Sequence, residues 1–265
     1  MKTIFITGAS TGLGKATAQL FQQRGWRVIA TMRNPEAASD LASLNNVTIL
    51  PLDITHPEQI RMTVKQALES GEVDVVFNNA GYGLMGPLEA LADEQIVRQL
   101  NTNLLGTIRV TQEFIPYFRE KKNGMFISTT SIGGLITFPL NSIYHATKWA
   151  LEGWSESMAF ELNTFGIDIK TVSPGGIKTD FVSRSLDSAS SPAYEEIIDS
   201  LYSKMEGMME AASTPEQIAE VVYEAATDGK KQLRYVAGDD ANALYAQRLE
   251  LGAEAFRDQL GKQFL

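Results

Sequence analysis

The sequence contains no cysteine and only two histidines, His56 and His145, among 265 residues. Without cysteine the chain cannot form a disulfide, a thiolate metal site or a cysteine nucleophile. Two histidines are too few for a metal site built from several imidazoles, so we expect no bound metal. The lack of disulfides fits a reducing compartment, and we predict a cytoplasmic location.

Positive charge is scarce as well. The chain carries 23 Lys and Arg against 32 Asp and Glu, for a net charge of −9. Its basic runs do not exceed the pairs Lys121-Lys122 and Lys230-Lys231. Nucleic acid would meet net repulsion and no basic stripe, so we expect no nucleic-acid partner.

Long apolar stretches are missing too. No run approaches the roughly 18–20 residues that a helix needs to span a bilayer. The N-terminal MKTIFITGAS has only a short strand-like run before its glycine. A signal peptide needs a longer apolar core and a cleavage site. We therefore predict no signal peptide and no membrane partner.

The sequence does contain a regular alternation of strand-like and helical segments. Strands are predicted at 3–7, 26–32, 47–53, 73–81, 124–131, 167–176 and 233–238. Helical patterns follow at 13–25, 57–70, 93–120, 142–164 and 214–227, with a short helix within 33–46 and a helical tail. This order predicts an α/β fold: a doubly wound parallel sheet, Rossmann-like, of about seven strands, with helices on both faces. We predict a single domain spanning 1–265.

Residues 177–212 interrupt this alternation with a segment rich in Ser, Met and acidic residues. The segment follows the sixth predicted strand, and doubly wound folds bind ligands at the C-terminal ends of their strands. We predict a substrate lid, with a plain surface loop as the alternative. Apolar side chains of the lid and of the stretch before Tyr144 are predicted to line one pocket, with packing internally or at a subunit contact as the alternative: Leu135, Phe138, Leu140, Phe181, Tyr194, Ile197, Leu201, Tyr202, Met205, Met208 and Met209.

The first strand ends in TGASTGLG, which places Gly8, Gly12 and Gly14 directly before a helix. Such a turn aims free backbone N–H groups and the positive end of the helix at an anion. Its G-x-x-x-G-x-G spacing differs from G-x-G-x-x-G, and Ala16 after Gly14-Lys15 excludes a P-loop. We predict that this turn binds the pyrophosphate of a dinucleotide; a glycine-rich turn without a ligand is the alternative.

Arg33 follows the second strand in ATMRN, where dinucleotide folds that prefer NAD often carry a carboxylate. An arginine can pair with a 2′-phosphate there. We therefore predict NADP as the cofactor, with NAD as the alternative and a surface arginine as the plain interpretation.

Seven motifs in order resemble those of the short-chain dehydrogenases/reductases over nearly the whole chain. They are TGASTGLG (7–14), LDIT (52–55), NNAG (78–81), NTNLLG (101–106), ISTTS (127–131), YHATK (144–148) and SPGGIKTD (173–180). ATMRNP and the tail after 230 resemble the NADP-preferring branch that includes hydroxysteroid dehydrogenases. The resemblance implies an oxidoreductase and a homodimer or homotetramer.

The resemblance implies four catalytic residues: Asn103, Ser131, Tyr144 and Lys148. Ser131 and Asn103 fit the family spacing better than Ser128 or Thr130 and Asn101. The implied cofactor contacts are Gly8, Ser10, Thr11, Gly12, Leu13, Gly14, Arg33, Asp53, Ile54, Asn79, Ala80, Gly81, Tyr144, Lys148, Pro174, Gly175, Ile177 and Thr179.

In this interpretation Tyr144 is the acid/base. A free phenol has a pKa near 10, and a fixed ammonium nearby favours the phenolate, so we expect Lys148 to lower the pKa of Tyr144. Ser131 would donate a hydrogen bond to the substrate oxygen, and Asn103 would hold a water that links Lys148 to solvent. We expect His145, adjacent to Tyr144 on the helix, to be structural.

The predicted substrate is a small molecule: an apolar ketone or aldehyde, or its secondary alcohol, because ITFPLNSIY (136–144) contains no basic residue. The alternative is a non-catalytic sensor that binds NADP(H). The fold also serves epimerases and dehydratases, but the tail after 238 looks too short for their larger substrate domain.

Overall fold

A computed structural model of the protein describes residues 1–37, 39–178 and 186–264. Seven strands form one parallel sheet in the order β3-β2-β1-β4-β6-β7-β9, and two short strands, β5 and β8, form a separate parallel pair. The strands are β1 Thr3–Thr7, β2 Arg27–Met32, β3 Val47–Pro51, β4 Val75–Asn78, β5 Gly83–Met85, β6 Gly124–Thr129, β7 Ile167–Pro174, β8 Leu186–Ser188 and β9 Arg234–Ala237. The predicted seven-stranded doubly wound sheet is confirmed.

Helices cover both faces of this sheet. They are α1 Gly12–Gln23, α2 Ser39–Ala42, α3 Pro57–Glu69, α4 Asp93–Leu100, α5 Thr107–Lys121, α6 Ser142–Leu162, α7 Glu195–Glu210, α8 Pro215–Thr227, α9 Asp239–Leu251 and α10 Ala253–Phe264. The helix predicted over 93–120 is α4 and α5 joined by a π-helical segment, Asn101–Gly106. That segment contains Asn103, one of the predicted catalytic residues.

Two apolar cores lie between the sheet and its helices. On one face β1 and β2 pack against α1 and α8, and on the other the sheet packs against α3, α5 and α6. Residues of β1 and β4 are buried throughout, as expected for central strands of a parallel sheet covered on both sides. Burying each large apolar side chain contributes about 1.5–3 kcal/mol, so the sheet forms a rigid base for the residues at its edge.

A third apolar cluster lies above the C-terminal edge of the sheet. It joins Ile132 and Ile136, which follow β6, to Leu201 of α7 and to Phe256 and Phe264 of α10. The segment 177–212 is therefore not a plain loop in its described part, because α7 packs its buried Leu201 against the end of the chain. Among the described residues, no helix has the length and apolar character that a bilayer crossing requires.

Candidate active site

The predicted cofactor residues lie along one edge of the sheet. Parallel strands bring their C-terminal ends to the same edge, and the strand order turns at β1, which has β2 on one side and β4 on the other. Doubly wound sheets open a ligand crevice at such a switch point. The segments at the C-terminal ends of β1, β2, β3, β4 and β7, including the start of α1, carry the predicted cofactor contacts outside α6 that the structure describes, and Thr179 lies outside the described residues.

The glycine turn between β1 and α1 has the shape that a pyrophosphate needs. Gly8 and Gly12 adopt positive φ angles of 69° and 54°. A Cβ on Gly14 would lie 2.2 Å from the carbonyl oxygen of Gly8, so only glycine lets α1 start this close to the turn. Thr11, which precedes α1, makes no side-chain cap hydrogen bond. The first N–H groups of α1 therefore lack a side-chain cap, and the residues fit an anionic group there.

Asn79 holds the glycine turn against the end of β4. Its side-chain amide donates to the carbonyl oxygens of Thr7 and Gly8, at 3.2 and 3.1 Å. The hydroxyl of Thr7 accepts the N–H groups of Asn79 and Ala80 in return. A Cβ on Gly81 would lie 3.1 Å from the side-chain oxygen of Asn103, which is tight. These contacts fix the floor of the crevice.

Arg33 and Asp53 lie at the ends of β2 and β3. Arg33 is exposed, and within residues 1–37, 39–178 and 186–264 no salt bridge involves it. Burial raises the pKa of Asp53, but hydrogen bonds from the hydroxyl and N–H of Thr55 outweigh it, and the net pKa is lowered. Ile54 is buried beside Gly106 of the π-helical segment. Arg33 is thus available to a phosphate group.

Tyr144 and Lys148 lie one turn apart on the buried face of α6. The Lys148 ammonium is 5.7 Å from the centre of the Tyr144 ring and donates a 2.9 Å hydrogen bond to the carbonyl oxygen of Thr129. Ser131 lies two residues beyond Thr129, and its side chain forms a hydrogen bond with Tyr144. The structure therefore brings Ser131, Tyr144 and Lys148 together at the end of β6.

The structure also separates Ser131 from the two nearby alternatives. Ser131 lines the pocket described below, together with Tyr144. Ser128 is buried within β6, in register with Thr171 of β7. Thr130 is buried, and its hydroxyl donates to the carboxylate of Glu152. Of these three residues, Ser131 is the one that lines the pocket.

The predicted direction of the Tyr144 pKa is wrong for this structure. Burial raises the pKa of the Tyr144 phenol, and the hydrogen bond with Ser131 opposes that rise only in part. Burial also lowers the pKa of the Lys148 ammonium to about 8, although Glu152 nearby raises it. Desolvation thus dominates at both groups, and Tyr144 is a protonated phenol at neutral pH.

The side chain of Asn103 anchors the backbone of Tyr82, and the water that we expect Asn103 to hold stays a prediction. Its oxygen accepts the N–H of Tyr82 at 3.0 Å and its amide donates to the carbonyl of Tyr82 at 2.8 Å. Both polar atoms are occupied and the residue is buried. The backbone carbonyl of Asn103 accepts from the Thr107 hydroxyl at 3.3 Å and has a second lone pair that could accept a hydrogen bond from a water.

The structural role expected for His145 is confirmed. One ring nitrogen accepts the N–H of Phe138 at 2.9 Å, and the other lies 2.7 Å from the carbonyl oxygen of Gly133. Burial lowers the pKa of His145, in keeping with a neutral ring that has one donor and one acceptor. His145 holds the turn that contains Ser131 against α6.

A pocket of about 180 Å³ opens beside Tyr144 and Ser131. Four of the predicted apolar side chains line it: Phe138, Leu201, Met205 and Met209. Leu135 and Leu140 do not line it and pack in the third apolar cluster, which is the alternative of internal packing, and Tyr202 is exposed and does not line it either. Tyr194 and Ile197 are half-buried and do not line it either. Thr179, Phe181 and the side chain of Met208 lie outside the described residues.

Sequence reasoning missed several residues of this pocket. Phe264 and Leu244 come from the helical tail, and Asn141, Gly176 and Asp240 also line the pocket. The spacing of Phe256, Leu260 and Phe264, four residues apart, signals an apolar helix face that needs a partner. That signal could have shown that the tail packs on something, but not that it closes a pocket.

Comparison with known proteins agrees with this arrangement. The family model described as short chain dehydrogenase matches residues 2–189. Human 17-beta-hydroxysteroid dehydrogenase type 1 is 33% identical over 270 residues, which cover 93% of this chain and 80% of that protein.

Two solved structures share the fold. A short-chain dehydrogenase from Streptomyces avermitilis superposes with a TM-score of 0.88 at 31% identity, covering 98% of this chain and 95% of that one. The protein ElxO, solved with NADP bound, gives a TM-score of 0.77 at 26% identity, covering 91% of this chain and 99% of that one. With the family model, the crevice geometry and these relatives in agreement, the chain belongs to the short-chain dehydrogenase family of oxidoreductases.

Proposed function

We propose that this protein is an NADP(H)-dependent oxidoreductase that transfers a hydride between its cofactor and an apolar ketone or aldehyde, or the corresponding secondary alcohol. One observation carries the proposal: Ser131 and Tyr144 stand together on the wall of a mainly apolar pocket at the cofactor edge of the sheet. A carbonyl oxygen between the two hydroxyls could accept hydrogen bonds from both. Such a pair stabilises the negative charge that develops on the oxygen during reduction.

Tyr144 acts as the acid in the reducing direction. Its raised pKa keeps the phenol protonated at neutral pH, so it can donate a proton to the substrate oxygen. The nicotinamide, when bound, supplies or accepts the hydride. Ser131 orients the oxygen and shares its charge. Lys148 would hold the nicotinamide ribose, and its positive charge beside the phenol favours the phenolate, the form that accepts the proton of the alcohol in the oxidising direction.

The cofactor would bind along the sheet edge. The N–H groups of the glycine turn from Gly8 to Gly14 would hold the pyrophosphate, and Asp53 and Ile54 would hold the adenine. Asn79, Ala80 and Gly81 would line the crevice floor, and Pro174, Gly175, Ile177 and Thr179 would hold the nicotinamide. The exposed Arg33 supports NADP over NAD, because its guanidinium can pair with a 2′-phosphate. That ElxO binds NADP on a similar fold is consistent with this choice.

The substrate class follows from the pocket lining. Phe138, Leu201, Met205, Leu244 and Phe264 offer apolar and adaptable surface, and no lysine or arginine is among the described residues that line it. A carboxylate or phosphate on the substrate would find no cation there. The hydroxysteroid relative is named for an apolar substrate class, which supports the same choice. We propose that the segment 177–212 acts as the lid over this substrate.

We also propose a homodimer or homotetramer, built on the long helices α5 and α6. A groove between them is lined by Ile108, Ile115, Trp154 and Met158. Phe160, near the end of α6, is 79% exposed, which is costly for so large an apolar side chain in a monomer. Light scattering after gel filtration tests this: a single species at 29.1 kDa would contradict it.

The function is tested by incubating the protein with NADPH and a panel of ketones and aldehydes of increasing size while absorbance at 340 nm is followed. We expect steady consumption of NADPH with apolar carbonyls and little with keto acids. Tight NADPH binding without turnover on any member of the panel would instead favour a sensor. Absence of both binding and turnover would contradict the cofactor assignment as well.

A further inference from the structure

Glu152 is a buried carboxylate that the proposed chemistry does not use. It lies on α6 two turns beyond Tyr144 and one turn beyond Lys148, and it is only 4% exposed. An isolated charge in such a place is expensive, so its partners must stabilise it. Residues spaced four apart share one helix face, and Tyr144, Lys148 and Glu152 therefore form a continuous row toward the sheet.

The partners of Glu152 come from three different strands. Its first oxygen accepts hydrogen bonds from the hydroxyls of Thr130, at 2.5 Å, and Ser173, at 2.8 Å. Its second oxygen accepts from the guanidinium of Arg234 at 2.9 Å and, more weakly, from the hydroxyl of Thr171 at 3.4 Å. One carboxylate thus connects α6 to the ends of β6, β7 and β9.

These partners are immediate neighbours of the candidate active site. Thr130 lies between Thr129, whose carbonyl holds Lys148, and Ser131, which bonds with Tyr144. Ser173 directly precedes Pro174 and Gly175 at the cofactor edge. Tyr144, Lys148 and Glu152 on α6 therefore each contact one of the three consecutive residues at the end of β6, Thr129 to Ser131, and Glu152 bonds to the middle one, Thr130.

We propose that Glu152 is a positioning residue for the Ser131–Tyr144–Lys148 set, and that its negative charge, balanced by Arg234, keeps the Tyr144–Lys148 pair protonated. The inference rests on the proposed function, because it concerns the same site. It adds a residue outside the substrate pocket, acting through the residues that touch the substrate.

The charge effect has a definite sign. An anion beside a proton-binding pair makes the pair hold its protons more tightly, and a cation loosens them. Glu152 raises the pKa of Lys148, against the burial that lowers it. Among the described residues, the other titratable groups around this row include His145 on the same helix, Arg234 from β9, Tyr245 of α9, whose phenol acts on Arg234, and Glu156, whose carboxylate is 3.9 Å from Arg234. At the end of β6, Lys148 contacts the backbone carbonyl of Thr129.

Two variants should therefore shift the pH at which the Tyr144–Lys148 pair loses its proton, and they should do so in opposite directions. Glu152→Gln removes the anion at nearly constant shape, so the pair should lose its proton at a pH lower by about half to one unit. Arg234→Met leaves the anion unbalanced and should raise that pH by a similar amount. Glu156→Gln is the matched control, since Glu156 lies one turn further along α6 and its side chain is 60% exposed; it should shift nothing.

The test is a pH titration of the cofactor-free protein by NMR, with ¹³C at the lysine ε-carbons and Lys148→Met to assign the signal. The same variants are assayed for NADPH-dependent reduction between pH 6 and 10. Opposite shifts for Glu152→Gln and Arg234→Met, with the control unchanged and thermal melts still cooperative, support the proposal. Shifts of the same sign, or none, in folded variants overturn it. If Glu152→Gln does not fold, the sign of the Arg234→Met shift decides.

Failure of the proposed function would look different. Wild-type protein would then consume no NADPH with any carbonyl, while the cofactor-free titration of Lys148 would still respond to Glu152 and Arg234. The separate effects on kcat and KM are informative too. We expect Glu152→Gln to lower kcat about tenfold with KM little changed. A purely structural defect would change the melting temperature without the pH shift.

Discussion

The side chain of Asn103 pairs with both backbone polar groups of Tyr82, its oxygen accepting the N–H and its amide donating to the carbonyl. This pairing fixes the chain just after Gly81 to the π-helical segment between α4 and α5. A π-helical turn is uncommon and costs regular hydrogen bonding, and such turns are frequent at functional sites. Here it turns a buried amide toward the strand end that lines the crevice.

Asn103→Ala should therefore destabilise the protein. It leaves the part-buried N–H of Tyr82 without its partner, which costs up to about 1–3 kcal/mol in the free energy of unfolding. We expect weaker NADPH binding as well, because the loop after β4 loses its anchor. Urea denaturation and fluorescence titration with NADPH measure the two effects. Asn101→Ala is the control, with a loss below about 1 kcal/mol; equal losses for both would contradict the anchoring role.

The pH dependence of carbonyl reduction should show one limb near pH 8. Burial lowers the pKa of Lys148 to about 8, so above that pH its ammonium is lost and the positive charge beside Tyr144 with it. We expect kcat/KM for reduction to be constant below this pH and to fall tenfold per unit above it. A limb between pH 6 and 7 would point to a histidine instead, and it would contradict the structural role of His145.

Arg33→Ala should weaken NADPH binding by about 10–100-fold, because an arginine–phosphate hydrogen bond contributes roughly 1.5–3 kcal/mol. NADH binding should change by less than about threefold, since NADH has no 2′-phosphate. Isothermal titration with both cofactors measures the difference. Arg61→Ala, which removes an exposed arginine of α3, controls for net charge. Equal weakening of both cofactors would show that Arg33 does not select the phosphate.

Asp228→Asn should destabilise the fold without touching the site. Asp228 accepts hydrogen bonds from the ammonium of Lys170, which is 1% exposed, and from the hydroxyl of Tyr235. Removing one partner of a buried ion pair costs about 3–5 kcal/mol, because the other charge stays behind. Urea denaturation measures this loss. The exposed pair Lys231–Asp168 is the control, and Lys231→Met should cost under about 1 kcal/mol.

Much of the fold could be predicted from the sequence because local pattern and global topology agree. Buried strands read as continuous apolar runs, helices as periodic ones, and the glycine turn marks where β1 feeds α1. The strands β5 and β8 could not be predicted in this way. Each has three residues, and they pair across about one hundred residues of chain, so nothing local specifies them.

The residues of the site also differ in how far the sequence could predict them. Tyr144, Lys148 and Ser131 were found through motifs, and the structure brings them together. The direction of the Tyr144 pKa could not be predicted, because spacing gives the distance between charges but not their desolvation. Glu152 was missed since a glutamate one turn beyond Lys148 looks like any surface residue until its partners from β6, β7 and β9 are known.

The claim on which everything else depends is that the Tyr144 phenol transfers the proton to the substrate oxygen. Turnover of Tyr144→Phe, measured beside its NADPH dissociation constant, tests it most directly. We predict a fall in kcat of about 10³-fold or more, within the range lost when a positioned acid is removed, and a dissociation constant within about threefold of wild type. A variant that keeps turnover within about tenfold of wild type would contradict the claim.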